Sequence, residues 1–507
     1  MINICIHGHF YQPPRENPWT DEIEKQDSAR PYHDWNEKVF AECYKPNTES
    51  PIMNEKSEVV KIINNYEHLN FNFGPTLFSW IKEKHPDTYK KILEADIRSV
   101  SIHNGHGNAI AMAYNHIIMP LANLQDKITQ IRWGMKDFEY RFGRKSESIW
   151  LPETACNPAT VEVLINEGVK YIILDVSQAD KIRKIGHKQW NDVSNGSIDP
   201  KMPYRCYSEV NKGKSVDIFF YDGPVSKSVA FDDVLKSSAN LMNKILQAVP
   251  QDSFNDPIVS VATDGETFGH HKKFADRTLA YFLTVLSPAN SLKIVNFGEY
   301  LEQHPPSFEV KIKTGKNGEG TSWSCPHGVD RWQTDCGCGG WDGWQLRWRK
   351  PLRETMNWLR DELIAIYENE GSKYFKDVWK ARNDYIDLIL NKSKDASAKF
   401  FKSNSKKRLR KRDIETCLKL LEMQKYSMFM FTSCGWFFSE ISGLEAVQVL
   451  QYAAKAMDIA EEITSKSLEK EIKNRLSRAE SNIKRFKDGR GVWNKLVAPA
   501  RDFKPEK

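Results

Sequence analysis

The segment IVSVATDGE, residues 258–266, is a run of apolar and β-branched residues that ends in two acids, Asp264 and Glu266. Six similar short runs precede it, at residues 2–6, 71–73, 100–102, 149–151, 171–174 and 218–221. Between several of these runs, apolar residues recur every three or four positions, which indicates amphipathic helices. Alternating strands and helices are typical of parallel β/α units. The sequence therefore predicts seven parallel strands connected by helices.

Ionisable side chains follow most of these predicted strands. They are His7, His9, His103, His106, Glu153, Asp175, Asp222, Asp264 and Glu266. In a closed parallel barrel the C-terminal strand ends meet on one face, where such folds build their active sites. Polar residues also mark the start of loops, but loops favour Ser, Asn and Gly as readily as His, Glu and Asp. The pattern therefore favours an active site at the C-terminal strand ends.

The composition is that of a globular protein, with 40% hydrophobic and 28% charged residues in 507. The 73 basic and 67 acidic residues leave a net charge of only +6, which argues against a nucleic-acid partner. No apolar stretch has the roughly 18 residues that a membrane span needs, and no export signal is evident. Nine scattered cysteines fit reduced thiols better than a disulfide framework. We expect a soluble, cytoplasmic protein without a membrane partner, and its oligomeric state stays open.

Three regions differ in character. Residues 1–305 carry the predicted β/α units, and residues 306–350 form a segment rich in Gly and Trp with little periodicity. From residue 351 to the end the chain reads as helices, most clearly at residues 444–463, where apolar residues form one stripe. We predict a catalytic domain, a loop segment that covers the active face and a helical C-terminal domain.

Two carboxylates at the ends of apolar runs are the strongest catalytic candidates. Glu153 lies in WLPETA, residues 150–155, and Asp264 lies in TDGETFGH, residues 263–270. Cleavage of a glycosidic bond needs one protonated carboxyl to donate to the leaving oxygen and one ionised carboxylate to attack or to activate water. Trp150 is placed to pack beside Glu153. By composition alone, ordinary salt bridges explain the two acids equally well.

These motifs, together with HFYQPPRENPW at residues 9–19, resemble glycoside hydrolase family 57, in the subgroup with a C-terminal domain of unknown function. The resemblance covers essentially the whole chain. It implies an incomplete (β/α)7 barrel followed by an all-α domain, and a retaining double displacement on α-linked glucans without a metal or other cofactor. Glu153 would be the nucleophile and Asp264 the general acid/base. Retention requires their carboxyl groups about 5–5.5 Å apart.

The motifs, the strand ends and the Trp-rich loop together suggest which residues bind the oligo- or polysaccharide substrate, although the resemblance does not give the role of that loop. The candidates are His9, Tyr11, Gln12, His103, His106, Trp150, Asp222, Glu266, His270, Trp323, Trp332 and Trp436. Many family members read His-x-His-Gln-Pro in the first motif, whereas this chain has Tyr11 in place of the second His, so the substrate itself is in question. Structural roles compete for several of these residues: a backbone-bonded His at 103, a braced carboxylate at Asp222 and a core indole at Trp436.

Cys325, His327, Cys336 and Cys338 lie within fourteen residues and could bind zinc. Structural zinc sites usually pair ligands two to four residues apart, and a single intervening residue strains the tetrahedral arrangement. We therefore favour a loop that contributes sugar subsites through Trp323 and Trp332, with no metal, and keep zinc as the alternative.

Two other functions compete. A zinc-dependent polysaccharide deacetylase would use an Asp and two His such as His103 and His106, although the first strand carries no neighbouring Asp. A non-catalytic carbohydrate-binding protein is the second alternative, and the presence of both carboxylates argues against it. Within the family, α-amylase, 4-α-glucanotransferase, branching enzyme and α-galactosidase activities differ in loops. The sequence predicts a retaining α-glucan hydrolase or transglycosidase and does not choose among them.

Overall fold

The computed structural model describes residues 2–249, 256–341 and 343–502. Its chain forms two compact units, each built from several segments. The first unit comprises Met1–Gln12, Lys25–Met112 and Phe138–Thr314, and the second comprises Pro13–Glu24, Ala113–Asp137 and Gly315–Lys507. This division differs from the contiguous domains predicted from the sequence.

All strands of the described residues lie in the first unit. They are β1 Ile2–Phe10, β2 Ser50–Met53, β3 Val59–Ile63, β4 Asn70–Phe73, β5 Ala111–Met112, β6 Ile149–Trp150, β7 Tyr171–Asp175, β8 Ala179–Lys184, β9 Asn191–Asp192, β10 Pro203–Tyr207, β11 Ser215–Tyr221, β12 Ile258–Asp264, β13 Leu292–Ile294 and β14 Phe308–Ile312.

Seven of these strands run in the same direction and are joined to one another. β1 pairs with β12 and with β4, β5 pairs with β6, and β7 pairs with β11, all in parallel. Parallel bridges join Phe71 to Ala109 and Ser148 to Tyr171. The Asp222 N–H donates to the Ser260 carbonyl at 2.8 Å, which connects the end of β11 to β12. These contacts can be followed from β1 through β4, β5, β6, β7, β11 and β12 back to β1.

The remaining strands extend this arrangement. β8, β9, β10 and β14 join β7 and β11 in a six-stranded mixed sheet, in the order β7-β11-β10-β14-β8-β9. β2 and β3 form a separate antiparallel hairpin. β13 pairs in parallel with the first residues of β1.

The helices of the first unit lie mostly between its strands. They are α1 Trp35–Val39, α2 Lys45–Asn47, α3 Pro75–Lys84, α4 Pro86–Ile102, α5 Leu124–Phe142, which begins in the second unit, α6 Pro158–Asn166, α7 Gly223–Phe231, α8 Ser238–Gln247, α9 Ala275–Tyr281, α10 Ser287–Ala289 and α11 Phe297–Gln303.

The predicted strand at residues 100–102 is wrong, because these residues form the last turn of α4. That helix buries Ile92, Ala95, Asp96 and Ser99, a spacing of three and four, and its last turn leaves Ile102 exposed. The third parallel strand is instead β5, which has only two residues. The other six predicted strands are present.

The second unit is helical. Its helices are α12 Arg349–Gly371, α13 Val378–Asp384, α14 Ile386–Leu390, α15 Lys394–Asn404, α16 Lys411–Phe429, α17 Cys434–Phe437, α18 Leu444–Thr464, α19 Glu469–Leu476 and α20 Gly489–Val492. The predicted helix at residues 444–463 is confirmed as α18, which buries Leu450, Ala454, Met457 and Ala460 along one stripe.

Residues 113–137 belong to this helical unit because their side chains bond within it. The Asn115 amide donates to the Met428 carbonyl at 3.0 Å, and the buried Asp126 accepts from Arg382 at 2.8 Å. None of the helices in the described part of the chain has the length and apolar character that crossing a bilayer requires.

Candidate active site

Glu153 lies in a strained turn directly after β6. Residues Pro152–Thr154 form a single 3-10 turn in which Glu153 has φ 59° and ψ 21°. Thr154 also has a positive φ, of 47°. Side chains with a Cβ rarely adopt this left-handed conformation, which costs about 1–3 kcal/mol and tends to occur at functional sites. The turn presents the half-buried Glu153 carboxylate at the C-terminal end of its strand.

Gln178 holds this turn in place. The Thr154 hydroxyl donates to Gln178 Oε1 at 2.9 Å, and Gln178 Nε2 donates to the Thr154 carbonyl at 2.9 Å. The Asp175 N–H donates to the same Oε1 at 2.9 Å, which completes a capping box between Asp175 and Gln178 after β7. Gln178 is fully buried. The sequence analysis missed this residue, although an Asp-x-x-Gln pattern after a strand is a recognisable cap signal.

Asp264 is the last residue of β12, and His9 of β1 is its partner in the parallel register. The side chain is open to solvent, but protein surrounds it closely. Desolvation raises the pKa of Asp264 to about 7, and the negative charge of Glu153 raises it further. A carboxyl with such a pKa holds a proton near neutral pH, as a general acid must. The effect of Glu153 on this pKa also indicates that the two carboxyls interact.

Gly265 lets β1 approach the turn that follows Asp264. A Cβ at this position would lie 2.3 Å from a carbon of the Phe10 ring. The phenyl ring therefore packs directly on the backbone between Asp264 and Glu266.

Glu266 is a buried residue that bonds the backbone after β1, and its predicted role as a sugar contact stays a prediction. Its Oε1 accepts from the Tyr11 N–H at 2.9 Å and from the Tyr44 hydroxyl at 2.6 Å. Burial raises the pKa of Glu266 to about 8, and the Asp264 charge contributes to the rise while the Tyr44 bond opposes it. A neutral carboxyl here fixes the backbone just after β1 without adding a charge beside Asp264.

Aromatic rings stack beneath the carboxylates. Trp150 stacks on His7 at 4.6 Å and on His9 at 5.1 Å, and His9 stacks on Tyr11 at 5.8 Å between ring centroids. Asn72 contacts both imidazoles, at 3.1 Å to His7 Nε2 and 3.0 Å to His9 Nδ1. Burial lowers the pKa of His7 to about 4, so this ring is neutral.

Burial decides what these stacked rings can do. Trp150 is 1% exposed, so its ring packs inside the protein, and its predicted part in substrate binding stays a prediction. Tyr11 and His9 are also buried, at 8% and 4%. His9 lies level with Asp264 and stays a candidate for a polar contact with substrate. The sequence analysis missed Asn72, whose two-residue spacing from Asn70 marks one face of β4.

His103 and His106 lie at the other end of the strands, so the structure does not bring them together with Glu153 and Asp264, and their role in substrate binding stays a prediction. His103 caps α4 and bonds Glu299 at 2.7 Å. His106 bonds Glu147 at 2.8 Å, and Glu147 precedes β6, whereas Glu153 follows it. The arrangement also removes the basis for a deacetylase centre, since each imidazole is occupied by a carboxylate away from Asp264.

Asp222 supports the fold, and its predicted sugar contact stays a prediction. Its Oδ1 accepts from the Val225 N–H at 3.0 Å and caps α7, and its other oxygen pairs with the buried Lys201. The residue lies level with Ser260, four positions before Asp264 on the neighbouring strand. The sequence alternative of a braced carboxylate describes it correctly, with Lys rather than Arg as partner.

Gln12 and His270 remain candidates for substrate contact. Both are half-buried. Gln12 Nε2 donates to the Tyr11 carbonyl at 3.1 Å, and His270 Nδ1 pairs with Glu42. The Trp35 ring meets His270 edge-on, with centroids 6.0 Å apart. Their partial exposure is the reason that both stay candidates.

In the second unit, Trp332 and Trp436 are fully buried, which favours core positions, and their roles as sugar platforms stay predictions. The Trp436 indole N–H donates to the Arg349 carbonyl at 3.2 Å, and the Arg353 guanidinium lies 4.0 Å from the ring centroid. Trp323 is half-buried and stays a candidate. Trp341, by contrast, is 69% exposed.

The four residues considered for zinc converge in this unit. Ligand atoms of Cys325, His327, Cys336 and Cys338 all lie within 4.8 Å of one another. Within the described ranges, this is the one group of His, Cys, Asp or Glu side chains arranged to hold a metal ion. It contains neither Glu153 nor Asp264.

Known proteins with related sequences include a 4-alpha-glucanotransferase and an alpha-amylase. A 4-alpha-glucanotransferase of Thermococcus litoralis is 22% identical over 332 residues, which cover 64% of this chain and 42% of that protein. An alpha-amylase of Pyrococcus furiosus is 22% identical over 258 residues, 50% of this chain and 35% of that protein. The chain thus spans less than half the length of either relative.

Solved structures share the fold. An exo-type maltose-forming amylase from Pyrococcus sp. ST04 aligns with a TM-score of 0.67 at 15% identity, over 99% of this chain and 93% of that one. A GH57-type branching enzyme from Pyrococcus horikoshii aligns with a TM-score of 0.57 at 14% identity, over 99% and 97%. Both support an α/β fold with a helical C-terminal region.

Family models cover nearly the whole sequence in two parts. Residues 344–504 match a domain of unknown function (DUF3536). Residues 4–313, which include Glu153 and Asp264, match glycosyl hydrolase family 57. Because this match covers more than half of the residues, the chain belongs to glycosyl hydrolase family 57.

Proposed function

We propose that the protein cleaves α-glucosidic bonds with retention, through a covalent glycosyl-enzyme. The observation that carries the proposal is the pair formed by Asp264, whose pKa is raised to about 7, and the strained Glu153 that contributes to the rise. Two acids whose environments separate their pKa values can serve one as acid and the other as nucleophile. Both follow strands of the same parallel series.

The reaction then has two steps. Asp264 donates its proton to the leaving glycosidic oxygen while the Glu153 carboxylate attacks the anomeric carbon. Departure of the leaving group and loss of the Asp264 proton leave Asp264 ionised. In the second step Asp264 takes a proton from water or from an acceptor sugar hydroxyl, which attacks the anomeric carbon and releases Glu153. The raised pKa suits Asp264 to both roles.

The substrate we propose is an α-glucan, because the related proteins named above are an amylase and a glucanotransferase. Hydrolysis and transfer share both steps and differ only in which acceptor reaches the intermediate. The proposed substrate contacts are His9, Gln12, His270 and Trp323. His9 lies level with Asp264, and the other three are half-buried. We also infer that the seven parallel strands close into an incomplete (β/α)7 barrel, which their successive pairing supports.

A cytoplasmic location is part of the same proposal. The nine cysteines all lie in the described ranges and form no disulfide there, which suits a reducing compartment. Fractionation of the cells that make the protein tests this location.

The test compares the wild type, Glu153→Gln and Asp264→Asn on maltoheptaose and soluble starch, with reducing ends and product lengths followed together. We expect Glu153→Gln to lose roughly 10⁴-fold or more in kcat. Asp264→Asn should lose roughly 10²–10⁴-fold. A steady rise in reducing ends identifies hydrolysis, and redistributed chain lengths without such a rise identify transfer.

Matched controls separate chemistry from folding. Asp222→Asn removes a carboxylate that caps a helix and pairs with Lys201, so it should lower stability while leaving kcat within a few fold. Full activity of Glu153→Gln on every α-glucan tested would refute the assignment of the nucleophile.

A further inference from the structure

We propose that Cys325, His327, Cys336 and Cys338 bind one Zn²⁺ ion as a structural site. The geometry of their ligand atoms carries this proposal. Cys325 Sγ lies 4.0 Å from Cys336 Sγ and 3.9 Å from Cys338 Sγ. His327 Nδ1 lies 3.5 Å from Cys338 Sγ and 4.0 Å from Cys325 Sγ.

These separations are close to the edges of a zinc tetrahedron. Zinc binds thiolate sulfur at about 2.3 Å and imidazole nitrogen at about 2.0–2.1 Å. With tetrahedral angles, such bonds give sulfur–sulfur edges of roughly 3.8 Å and sulfur–nitrogen edges of roughly 3.5 Å. An ion at the centre of the four atoms therefore needs only small shifts of the side chains. Three thiolates and one imidazole form one of the ligand sets typical of structural zinc.

The backbone explains how ligands only two positions apart converge. Cys325 and His327 lie in a turn that closes with the Gly328 N–H donating to the Cys325 carbonyl at 3.1 Å. Gly337, between Cys336 and Cys338, has φ 78°, a conformation that glycine adopts without strain. The chain bends at this glycine, which permits both thiols to approach one point. The objection to a single intervening residue, raised from the sequence, therefore does not hold here.

Two arginines attach both ligand-bearing loops to the end of α17. Arg349 donates to the Cys338 carbonyl at 3.0 Å and to the Phe437 carbonyl at 3.2 Å. Arg331 donates to the Ser324 carbonyl at 3.1 Å and to the Phe437 carbonyl at 3.3 Å. Three thiolates on one Zn²⁺ leave a charge of −1, which the adjacent guanidinium groups offset. Such outer partners orient metal ligands and stabilise their charge.

The segment that carries the ligands is poor in regular secondary structure. Between β14 and α12, its described residues form only two single 3-10 turns, Lys316–Gly318 and Asp330–Trp332. A chain without helix or strand hydrogen bonds gains most from a cross-link, and bound zinc supplies one whose binding energy adds to folding. Four protein ligands also leave no open position for substrate, so the site is structural rather than catalytic.

Metal analysis of the full-length protein tests the proposal, and it does not depend on any glycosidase activity. We expect about one zinc per chain after purification without added metal, and less than a tenth of that in Cys336→Ser and Cys338→Ser. The matched control is Cys434→Ser, a half-buried cysteine of the same unit outside the cluster, which should keep its zinc.

Further measurements test the proposal even if the cysteine variants fail to fold. Titration of the wild type with a mercurial should release the zinc, detected with a metal-binding dye, in step with three thiols. Co²⁺ in place of zinc should give the visible bands of a tetrahedral thiolate complex, and His327→Cys should retain metal with shifted bands. Folded wild type without zinc, with iron instead, or with a disulfide among these cysteines would overturn the proposal.

Discussion

Gln178 bonds Thr154 through both ends of its amide, with two hydrogen bonds of 2.9 Å each. Because Thr154 follows Glu153 in a left-handed turn, these bonds hold the strained backbone that presents the carboxylate. The orientation of Glu153 therefore depends on Gln178, which lies in the turn after the next strand, β7.

We therefore expect Gln178→Ala to lower kcat by roughly 10- to 100-fold with little change in KM, because misplacement of a reacting group affects chemistry more than binding. Loss of the buried bonds should also reduce the free energy of unfolding by about 1–3 kcal/mol. Steady-state kinetics on maltoheptaose and urea unfolding measure the two effects.

Gln178→Glu serves as the conservative comparison, because it keeps the acceptor for Thr154 and Asp175 but loses the donor. It should fall between the wild type and Gln178→Ala in kcat. Gln451→Ala, at a buried glutamine of α18, is the control for general destabilisation. Equal loss of stability with unchanged kcat in Gln178→Ala would contradict a positioning role.

The pKa of Asp264 predicts a pH-dependent stability. Folding raises the pKa to about 7, whereas an unfolded aspartate titrates near 3.9. The folded state thus binds the proton more tightly, and stability declines as the pH rises from about 4 to about 7. Asp264→Asn should therefore gain stability relative to the wild type across this window and hold that gain above it. Urea unfolding at several pH values measures the difference.

The contribution of Glu153 to this effect can be isolated. In a Glu153→Gln background the negative charge beside Asp264 is absent, so Asp264→Asn should yield a smaller gain. Asp395→Asn, at an exposed position, should leave the pH dependence unchanged. An identical gain in both backgrounds would show that the two carboxyls do not interact.

Glu266 should behave as a neutral hydrogen-bond acceptor. Burial raises its pKa to about 8, and Oε1 alone accepts from Tyr11 and Tyr44. Glu266→Gln keeps that oxygen and should leave activity and stability nearly unchanged at pH 5. Its stability relative to the wild type should then increase as the pH rises to about 8, because only the glutamate is driven to ionise.

Glu266→Ala removes the acceptor from both donors and should destabilise the protein by about 1–3 kcal/mol at any pH. It should also lower kcat, since the backbone after β1 loses its anchor beside Asp264. Loss of activity in Glu266→Gln equal to that in Glu266→Ala would instead point to a direct part in catalysis.

Local patterns predicted much of the first unit. The apolar runs predicted six of the seven strands, and the residues after these runs predicted both carboxylates at strand ends. The exception is instructive, because residues 100–102 form the last, largely exposed turn of α4 and are too few to show either period clearly. β5 has two residues and gives no periodic signal at all.

Contacts between distant segments could not be predicted in this way. The sequence pattern predicted that His103 and His106 follow a strand. They follow a helix instead, and the topology places them at the end of the strands opposite Glu153. The convergence of Cys336 and Cys338 depends on a positive φ at Gly337, which ligand spacing alone does not reveal. Burial of Trp332 and Trp436 likewise depends on packing within the second unit.

The contrast between Trp436 and Trp341 gives a last prediction. Trp436 is fully buried and carries a cation–π contact with Arg353, whereas Trp341 is 69% exposed. Trp436→Ala should therefore reduce the free energy of unfolding by about 3–5 kcal/mol, the usual cost of deleting a buried aromatic side chain. Trp341→Ala should leave it within about 0.5 kcal/mol. Urea unfolding of both variants, with KM for maltoheptaose measured below the transition, distinguishes a core residue from a sugar platform. A higher KM with unchanged stability in Trp436→Ala would restore the platform interpretation, because a core indole cannot be removed without loss of packing.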